Sequence, residues 1–547
     1  MRFIKVNLRF LNVWSIFSFL FVLGIIFSNL LVFTSLFQAP SENWEHIKEY
    51  LLADYIKNTL LLITFTGTFT FLIGTSLAWL ISFYDFPLRN FYKLAFILPL
   101  AIPTYIGAYT YTGLLNYTGI VQSSLRNYLN YQVNPKLFDI MNIGGAVFIF
   151  TLFLLPYVYT IVSSFFQNQS SSLIETARLL GRKPLNILLT ILLPLARPAI
   201  IGGVSLVVLE VLNDYGVVKY FGITTFSTAI FKSWFGMGDI DSAIRLAASL
   251  LIIVFFILTL EKMVRGRKRF DSSTSKLRPI TLQKLSGYKA LLAFTYSFLI
   301  FSLSFLIPIL QLLYWSLITY NNVLNNKFWQ LLVNSISVAL VATCTIVFAS
   351  VIVANFQRIS GTKLSKAYAK ITTFGYSIPG AVIAIGVMVL FISLDRKLFW
   401  FYNIVNPESA ELVLSMSLAM LIFAYVIRFL AIGFNSVQTG FEKIGKKFFE
   451  ASRTLGMTTT KTFFKIDLPM LKPALVGGFV LAFVDVLKEL PLTLILRPFN
   501  FDTLATKVYQ YASDEMIPEA GVPSLIIIVV SLISIFLLNK MIMKEEG

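Results

Sequence analysis

The feature that most constrains this chain is a succession of apolar runs, each about 20 residues long and bounded by polar clusters. A helix rises about 1.5 Å per residue, so such a run crosses a hydrocarbon layer about 30 Å thick. Because 57% of the 547 residues are hydrophobic and 13% are charged, a water-soluble core would not hide the apolar surface. The runs are continuous rather than alternating, which favours helices over a β-barrel. The sequence therefore predicts an all-α polytopic membrane protein.

Twelve spans are predicted, six in each half of the chain. The first six lie near residues 12–36, 59–83, 94–114, 142–166, 195–213 and 243–260. The other six lie near residues 290–318, 331–354, 371–394, 411–435, 470–488 and 522–543. The predicted division is a first half over 1–260, a basic linker over 261–289 and a second half over 290–547.

The linker sets the predicted orientation. Residues 261–289 carry nine lysines and arginines against Glu261 and Asp271. Positively charged loops face the cytoplasm in polytopic proteins, so we expect a cytoplasmic linker and, with six spans in each half, two cytoplasmic termini. The acidic segment 37–58 then falls outside. The net charge of +18 indicates topology and contact with lipid headgroups rather than binding of nucleic acid.

Few residues are available for catalysis or metal binding. The sole cysteine, Cys344, excludes an intrachain disulfide and a cysteine-rich metal cluster. The sole histidine, His46, is expected to be a solvated residue of an outer loop. The chain has no G-x-x-x-x-G-K-[ST] phosphate-binding motif. We therefore predict no catalytic residues and no cofactor in this chain, and leave open whether it binds a metal.

The second half repeats the first. Residues 175–203 align without a gap with residues 450–478, at an offset of 275 residues, and eleven positions are identical. At an offset of 276, Pro103 matches Pro379 near the middle of the third and ninth spans. Because each half has an even number of spans, both copies are predicted to share one orientation, like the subunits of a fused homodimer.

The repeated segment lies in a predicted inner loop after the fourth span of each half. In the first copy, Leu173, Ile174, Ala177 and Leu180 are spaced for one face of a short helix. Gly181 suits the left-handed conformation that ends such a helix. The sequence thus predicts a short amphipathic protrusion.

A second short helix is predicted to lead to Pro194 in the first copy and Pro469 in the second, where proline breaks the hydrogen bonding before the next span. One interpretation is an interfacial helix that rests on the inner leaflet. The same Glu, Gly and Pro spacing at two equivalent places favours instead a surface that docks a partner at two sites.

At these residues the chain resembles a known family. Its motifs are Glu175-Thr176-Ala177 with Gly181 and Pro194, and Glu450-Ala451-Ser452 with Gly456 and Pro469. They resemble the EAA loop of ABC importer permeases, and each departs from Glu-Ala-Ala by one small residue. The resemblance covers nearly the whole chain and implies a type I ABC importer permease fold in fused form. It implies that each loop is a coupling helix seated in one of two cytosolic ATPase subunits, which bind the ATP and rock the halves between outward and inward states.

Charges within spans are costly and mark functional sites. The fifth span carries Glu210 and Asp214, and the eleventh carries Asp485, Lys488 and Glu489 at the same offset. Residues four apart share one helix face, so two carboxylates from each half are predicted to approach a translocation path and attract a cation. Pro103 and Pro379 are predicted to loosen the neighbouring helices. The alternative is that Lys488 pairs with Asp485 or Glu489 as a structural contact, or that these groups lie at the outer interface.

The segments LKELPLT at 487–493 and FDTLAT at 501–506 resemble the ferric-iron importer permeases, and NDYGVV at 213–218 is similar to its counterpart there. This resemblance implies a permease of the bacterial inner membrane that receives ferric iron from a periplasmic binding protein. Thiamine permeases share the fused architecture, so the cargo stays open between iron, thiamine and another small solute. An ion-coupled secondary transporter is the alternative of another class, although it would not need paired inner loops.

Overall fold

The computed structural model describes residues 13–37, 39–131, 134–169, 171–265, 281–406 and 410–546. Nine helices in these ranges are long and apolar enough to cross a membrane, and three bent pairs of helices pass the same test. If each bent pair is one span, the total is the predicted twelve, with six spans in each half.

The spans extend further than the apolar runs alone. Those of the first half are Val13–Thr34, Glu42–Phe83, Arg89–Ala101 with Thr104–Leu129, Ile143–Gln167, Pro184–Asn213 and Ile240–Arg265. Those of the second half are Tyr288–Val323, Asn326–Ser360, Lys363–Ser377 with Gly380–Val405, Leu418–Ile444, Thr459–Met470 with Lys472–Leu487, and Pro518–Leu538, from which the helix continues to Glu546. The second span begins before His46, which is exposed on a helix and not in the predicted loop. Most of the predicted linker, residues 266–280, lies outside the described residues, so the domain division stays a prediction.

Shorter elements fill the connections. Helices Ser171–Leu179 and Lys447–Thr454 follow the fourth and tenth spans, Gly216–Tyr220 and Phe226–Phe231 follow the fifth, and Pro491–Leu496 and Leu504–Ser513 follow the eleventh. Two short strands, Tyr84–Asp85 and Gln283–Lys284, pair in parallel with Tyr84 beside Gln283. The end of the linker is thereby attached next to the end of the second span.

The third and ninth spans are broken rather than continuous. The two parts of the third span meet at 94° and those of the ninth at 114°. Pro103 and Pro379 are the residues that directly precede the second parts, because a proline fits at the start of a helix but not inside one. The predicted loosening is thus a sharp bend at the same place in both halves.

Each half is built on three packed spans. The second, fourth and fifth spans contact one another in the first half, as do the eighth, tenth and eleventh in the second. The repeated glycines permit this close approach. A Cβ atom at Gly203 would lie 2.9 Å from Val158 Cα, and one at Gly478 would lie 3.0 Å from Ser436 Cβ.

The first span of each half packs against the other half. The first span contacts the eighth and ninth spans, and a Cβ atom at Gly386 would lie 2.5 Å from the carbonyl oxygen of Ser28. In the opposite direction, the Tyr296 hydroxyl on the seventh span lies 2.6 Å from the Ser76 hydroxyl on the second. These exchanged spans join the two halves.

We predict that Gly386→Ala weakens this junction. The added methyl group meets a backbone carbonyl that cannot rotate away, so the folded protein should lose about 1–3 kcal/mol. Thermal unfolding in detergent measures the effect. Gly67→Ala is the matched control, because its Cβ atom would lie 3.4 Å from Val204 Cγ1, an ordinary contact. Equal unfolding temperatures for both variants would contradict the close packing of the exchanged span.

Candidate functional site

Two surfaces carry the predicted functional residues. The first comprises the two repeat loops, residues 171–194 and 446–469. Gly181 and Gly456 end their short helices with φ angles of +74° and +80°, which confirms the left-handed conformation predicted for Gly181. The next N–H closes back onto each helix, from Arg182 to Ala177 O and from Met457 to Ser452 O, both at 3.1 Å. The two loops are structural copies.

The face of the first loop that packs onto the bundle is narrower than predicted. Ile174 and Ala177 are buried, whereas Leu180 is 76% exposed. Leu180 lies beyond the last helical residue, Leu179, where helical spacing no longer sets the direction of a side chain. The prediction that Leu180 shares the buried face is therefore wrong, and the side chain of Leu173 lies outside the described residues.

Neither proline of the motif ends a helix. A π-helical turn comes before each Leu-Pro pair, Leu188–Leu192 in the first loop and Phe463–Asp467 in the second. This turn shifts the hydrogen-bond register and accommodates the missing N–H of Pro194 and Pro469. The first helix continues to Asn213, and the second copy bends by 72° only after Met470. The predicted break at the prolines is therefore wrong.

Both loops expose apolar side chains at matching positions. Leu180 and Leu455 are 76% and 80% exposed, and Leu189 and Phe464 are 53% and 57% exposed. Glu450 and Ala451 are exposed as well, and Glu175 is half-buried. Grouped apolar exposure at the same place in both copies is typical of a surface that binds a partner.

The first loop lies at the end of the bundle where the linker enters. Arg178 is close enough to Tyr84 for its positive charge to oppose the effect of burial, which raises the pKa of that phenol. Tyr84 is also the residue that pairs with Gln283 of the linker. The linker and the first loop thus lie on one side of the bundle.

The second surface is a cavity of about 100 Å³ between the two halves. The structure brings six of the predicted path residues to its wall: Pro103, Glu210, Asp214, Asp485, Lys488 and Glu489. Pro379 lies beside it, because the N–H of the next residue, Gly380, donates to Asn213 Oδ1 across the two halves at 2.6 Å. With Arg428, the wall carries four carboxylates and two cations, which leaves an excess of negative charge.

An arginine that sequence reasoning missed holds one of these carboxylates. Arg428 Nε lies 3.3 Å from Glu489 Oε2, and the two side chains are 5% and 6% exposed. Arg428 Nη1 also donates to the carbonyl oxygen of Ile378, at 3.2 Å, where the bend of the ninth span leaves that group open. An arginine inside the apolar tenth span was a visible signal, because a charge there is costly unless it has a partner.

The remaining charges are also engaged. Lys488 Nζ lies 2.7 Å from Asp485 Oδ1, the structural contact that was one of the alternatives from sequence. The Tyr376 hydroxyl donates to Glu210 Oε1 at 3.1 Å and joins the ninth span to the fifth. Tyr376, like Arg428, was not among the predicted site residues.

Asp214 and Glu489 have equivalent structural roles. Each accepts a hydrogen bond from the backbone N–H three residues on, Val217 for Asp214 at 2.8 Å and Leu492 for Glu489 at 3.2 Å. Each therefore caps the short helix that follows its span. Asp214 is also held by the Thr104 hydroxyl, at 2.7 Å.

The two halves differ at one wall position. Phe153 stands in the fourth span where Arg428 stands in the tenth, at the offset of 275, and both line the cavity. The half-helix that approaches Arg428 begins at Gly380, where a Cβ atom would lie 2.8 Å from Glu489 Oε1. Only glycine leaves room for the ion pair at this bend.

The described part of the chain has no group of three or more His, Cys, Asp or Glu side chains placed to hold a metal ion. The four carboxylates are instead distributed around the wall, each with a partner from the protein. The arrangement supplies negative potential to a passing cation rather than a preformed coordination site.

We predict that Arg428→Met destabilises the protein by about 3–5 kcal/mol, because Glu489 is left as a buried charge without a counter-ion. The double variant Arg428→Met with Glu489→Gln should recover part of the loss. Thermal unfolding in detergent checks both. The control is Arg497→Met, which breaks an ion pair with Asp502 whose side chains are 34% and 39% exposed and should cost less than about 1 kcal/mol. Equal losses from Arg428→Met and Arg497→Met would contradict the role of the buried pair.

Comparison with known proteins agrees with this architecture. A family model described as a binding-protein-dependent transport system inner membrane component matches the chain twice, over residues 70–261 and 346–544. The Fe(3+)-transport system permease protein FbpB 2 of Haemophilus influenzae is 25% identical over 90% of this chain and 91% of its own length. The ferric transport system permease protein FbpB of Actinobacillus pleuropneumoniae is 22% identical over 84% of this chain and 68% of its own length. A putrescine transport system permease protein, PotI of Escherichia coli, is 25% identical over 31% of this chain.

The two matches fall on the two structural halves and together span more than half of the sequence, and the apolar helices fit a multi-pass protein of the inner membrane. The chain therefore belongs to the family of binding-protein-dependent transport system inner membrane components, the permeases of ABC importers, and carries the domain of that family twice.

Proposed function

We propose that this permease imports ferric iron, that two separate cytosolic ATPase subunits bind and hydrolyse the ATP, and that a periplasmic binding protein delivers the iron. The two repeat loops are the docking sites of the ATPase subunits and face the cytoplasm, as do both termini. The cavity between the halves is part of the translocation path. The chain itself has no catalytic residue and no cofactor.

The observation that carries the proposal is the matched exposure of the two repeat loops. Leu180 and Leu189 in one loop and Leu455 and Phe464 in the other leave apolar surface open at two equivalent places. Two equivalent sites suit two copies of one partner. An interfacial helix resting on the leaflet would not require the same Gly-ended turn and the same exposed positions in both copies.

A single helix connects the first loop with the cavity. Pro184–Asn213 has 30 residues, about 45 Å of helix, and carries Glu210 and Asn213 at its far end. A displacement of the loop by a closing ATPase pair would therefore move one wall of the cavity. Asn213 contacts Gly380 of the other half, so this movement also changes the junction between the halves.

The charge of the cavity supports a cationic cargo. The wall has more carboxylates than cations, and such a potential raises the local concentration of positive ions. The names of two similar permeases specify ferric iron. Thiamine, itself a cation, and other small solutes are the alternatives for the same fold.

We predict that Glu450→Arg and Gly456→Asp each abolish association with the ATPase and uptake, while the protein remains inserted. Both substitutions place a charge on the exposed loop surface, and Gly456→Asp also strains a left-handed turn. Co-purification of the ATPase with the permease from membranes, together with an uptake assay, measures the effect.

Gly361→Asp is the matched control for the loop variants. Gly361 also ends a helix with a positive φ angle, +58°, and nothing lies within 4 Å of its Cβ position, but it is outside the repeat loops. This variant should retain association. Normal uptake by both loop variants, or equal loss in the control, would count against docking at the loops.

We further predict that Asp485→Asn lowers iron uptake about tenfold without loss of ATPase association. The substitution removes one negative charge from the cavity and leaves the Lys488 ammonium group unpaired, so the wall repels a cation more strongly. Uptake of radioactive iron in membrane vesicles is the measurement, with Asp502→Asn, outside the cavity wall, as the control. Unchanged uptake would favour a purely structural role for Asp485.

A further inference from the structure

A buried ion pair connects the second repeat loop with the bundle. Arg358 Nη1 lies 2.7 Å from Asp467 Oδ1, and the two side chains are 8% and 1% exposed. Arg358 lies near the end of the eighth span, whereas Asp467 ends the π-helical turn before Leu468 and Pro469. The pair therefore joins the eighth span to the root of the eleventh.

The same guanidinium group also contacts the other end of the loop. Arg358 Nη2 donates to the carbonyl oxygen of Gly445 at 3.0 Å, just after the tenth span ends. The guanidinium carbon lies 4.5 Å from the ring centroid of Phe441 and 5.5 Å from that of Phe449. Phe449 belongs to the short helix Lys447–Thr454, next to the motif residue Glu450. One side chain thus contacts both ends of the second loop and the helix between them.

The first loop has no such charge among the corresponding residues. Leu192 stands at the place of Asp467 and Ile174 at that of Phe449, at the offset of 275, and Ser82 stands at the place of Arg358, at the offset of 276. These three residues are buried, and the neighbouring rings of Phe83 and Phe166 lie 5.5 Å apart. The first loop is held by apolar packing.

The two kinds of attachment differ in how firmly they fix direction. A planar guanidinium with a carboxylate, a carbonyl and two rings around it fixes the relative orientation of four segments. Apolar contacts are non-directional and allow one surface to shift against another. A buried charge also cannot leave its partner without becoming unpaired in an apolar surrounding.

We propose that Arg358 is a positioning residue that fixes the orientation of the second repeat loop, so that the two loops transmit movement from the ATPase subunits unequally. The second loop moves as one body with the eighth, tenth and eleventh spans. The first loop is free to shift against its spans. This inference rests on the proposed docking function.

Amide hydrogen exchange on the purified full-length permease tests the anchor without any partner. In Arg358→Met, exchange over Lys447–Thr454 should become about tenfold faster, while exchange over Ser171–Leu179 is unchanged. In the complex with the ATPase, the amount of iron transported per ATP hydrolysed should fall. Ser82→Ala, at the equivalent place of the first half, is the control and should alter neither quantity.

The double variant Arg358→Met with Asp467→Leu separates orientation from stability. It removes the unpaired carboxylate and imitates the apolar attachment of the first half, so it should assemble with the ATPase as the wild type does. We expect that its second loop still exchanges faster and that its iron-to-ATP ratio stays low. If Arg358→Met alone does not fold, the double variant decides.

Unchanged exchange over Lys447–Thr454 in both variants would overturn the inference. A wild-type iron-to-ATP ratio in the double variant would do so as well, because apolar packing would then suffice. Failure of the proposed docking is a different result. In that case the wild-type permease itself does not bind the ATPase, while the exchange measurement still reports on the anchor.

Discussion

A charge or an open backbone group inside an apolar bundle has to find its partner within the protein, and this requirement determines the centre of the structure. The bend at Pro379 leaves the Ile378 carbonyl and the Gly380 N–H without helical partners, and Arg428 and Asn213 bind them. Arg428 in turn requires Glu489, which caps the helix that follows its span. The broken spans and the charges thus depend on one another, and together they form a polar cavity between two apolar halves.

Much of this architecture is contained in local sequence patterns. Apolar run length predicts the spans, self-similarity predicts the two halves, and a glycine after a short helix predicts the left-handed turn at Gly181. The failures occur where longer-range structure decides. Leu180 is exposed because the helix ends one residue earlier, and Pro194 does not stop its helix because a π-helical turn precedes it. The partners of Arg428 and the exchange of the first spans are tertiary contacts, for which periodicity gives no signal.

The two halves keep the same backbone plan and differ in the chemistry at equivalent positions. Where the first half has Phe153 in the cavity wall and Leu192 below its loop, the second half has Arg428 and Asp467. Both charges of the second half lie in buried ion pairs. A fused chain permits such divergence, because each copy is free to change without altering the other, whereas a homodimer would place every charge twice around its axis.

The account depends on movement of cargo driven by a separate motor protein docked on the two loops. The most direct measurement is uptake of iron into proteoliposomes that contain the purified permease, either alone under an imposed ion gradient or with its ATPase, ATP and the iron-loaded binding protein. We expect no uptake by the permease alone and ATP-dependent uptake by the complete system, with the ferric-loaded but not a thiamine-loaded binding protein. Gradient-driven uptake by the permease alone would contradict the account and identify a secondary transporter.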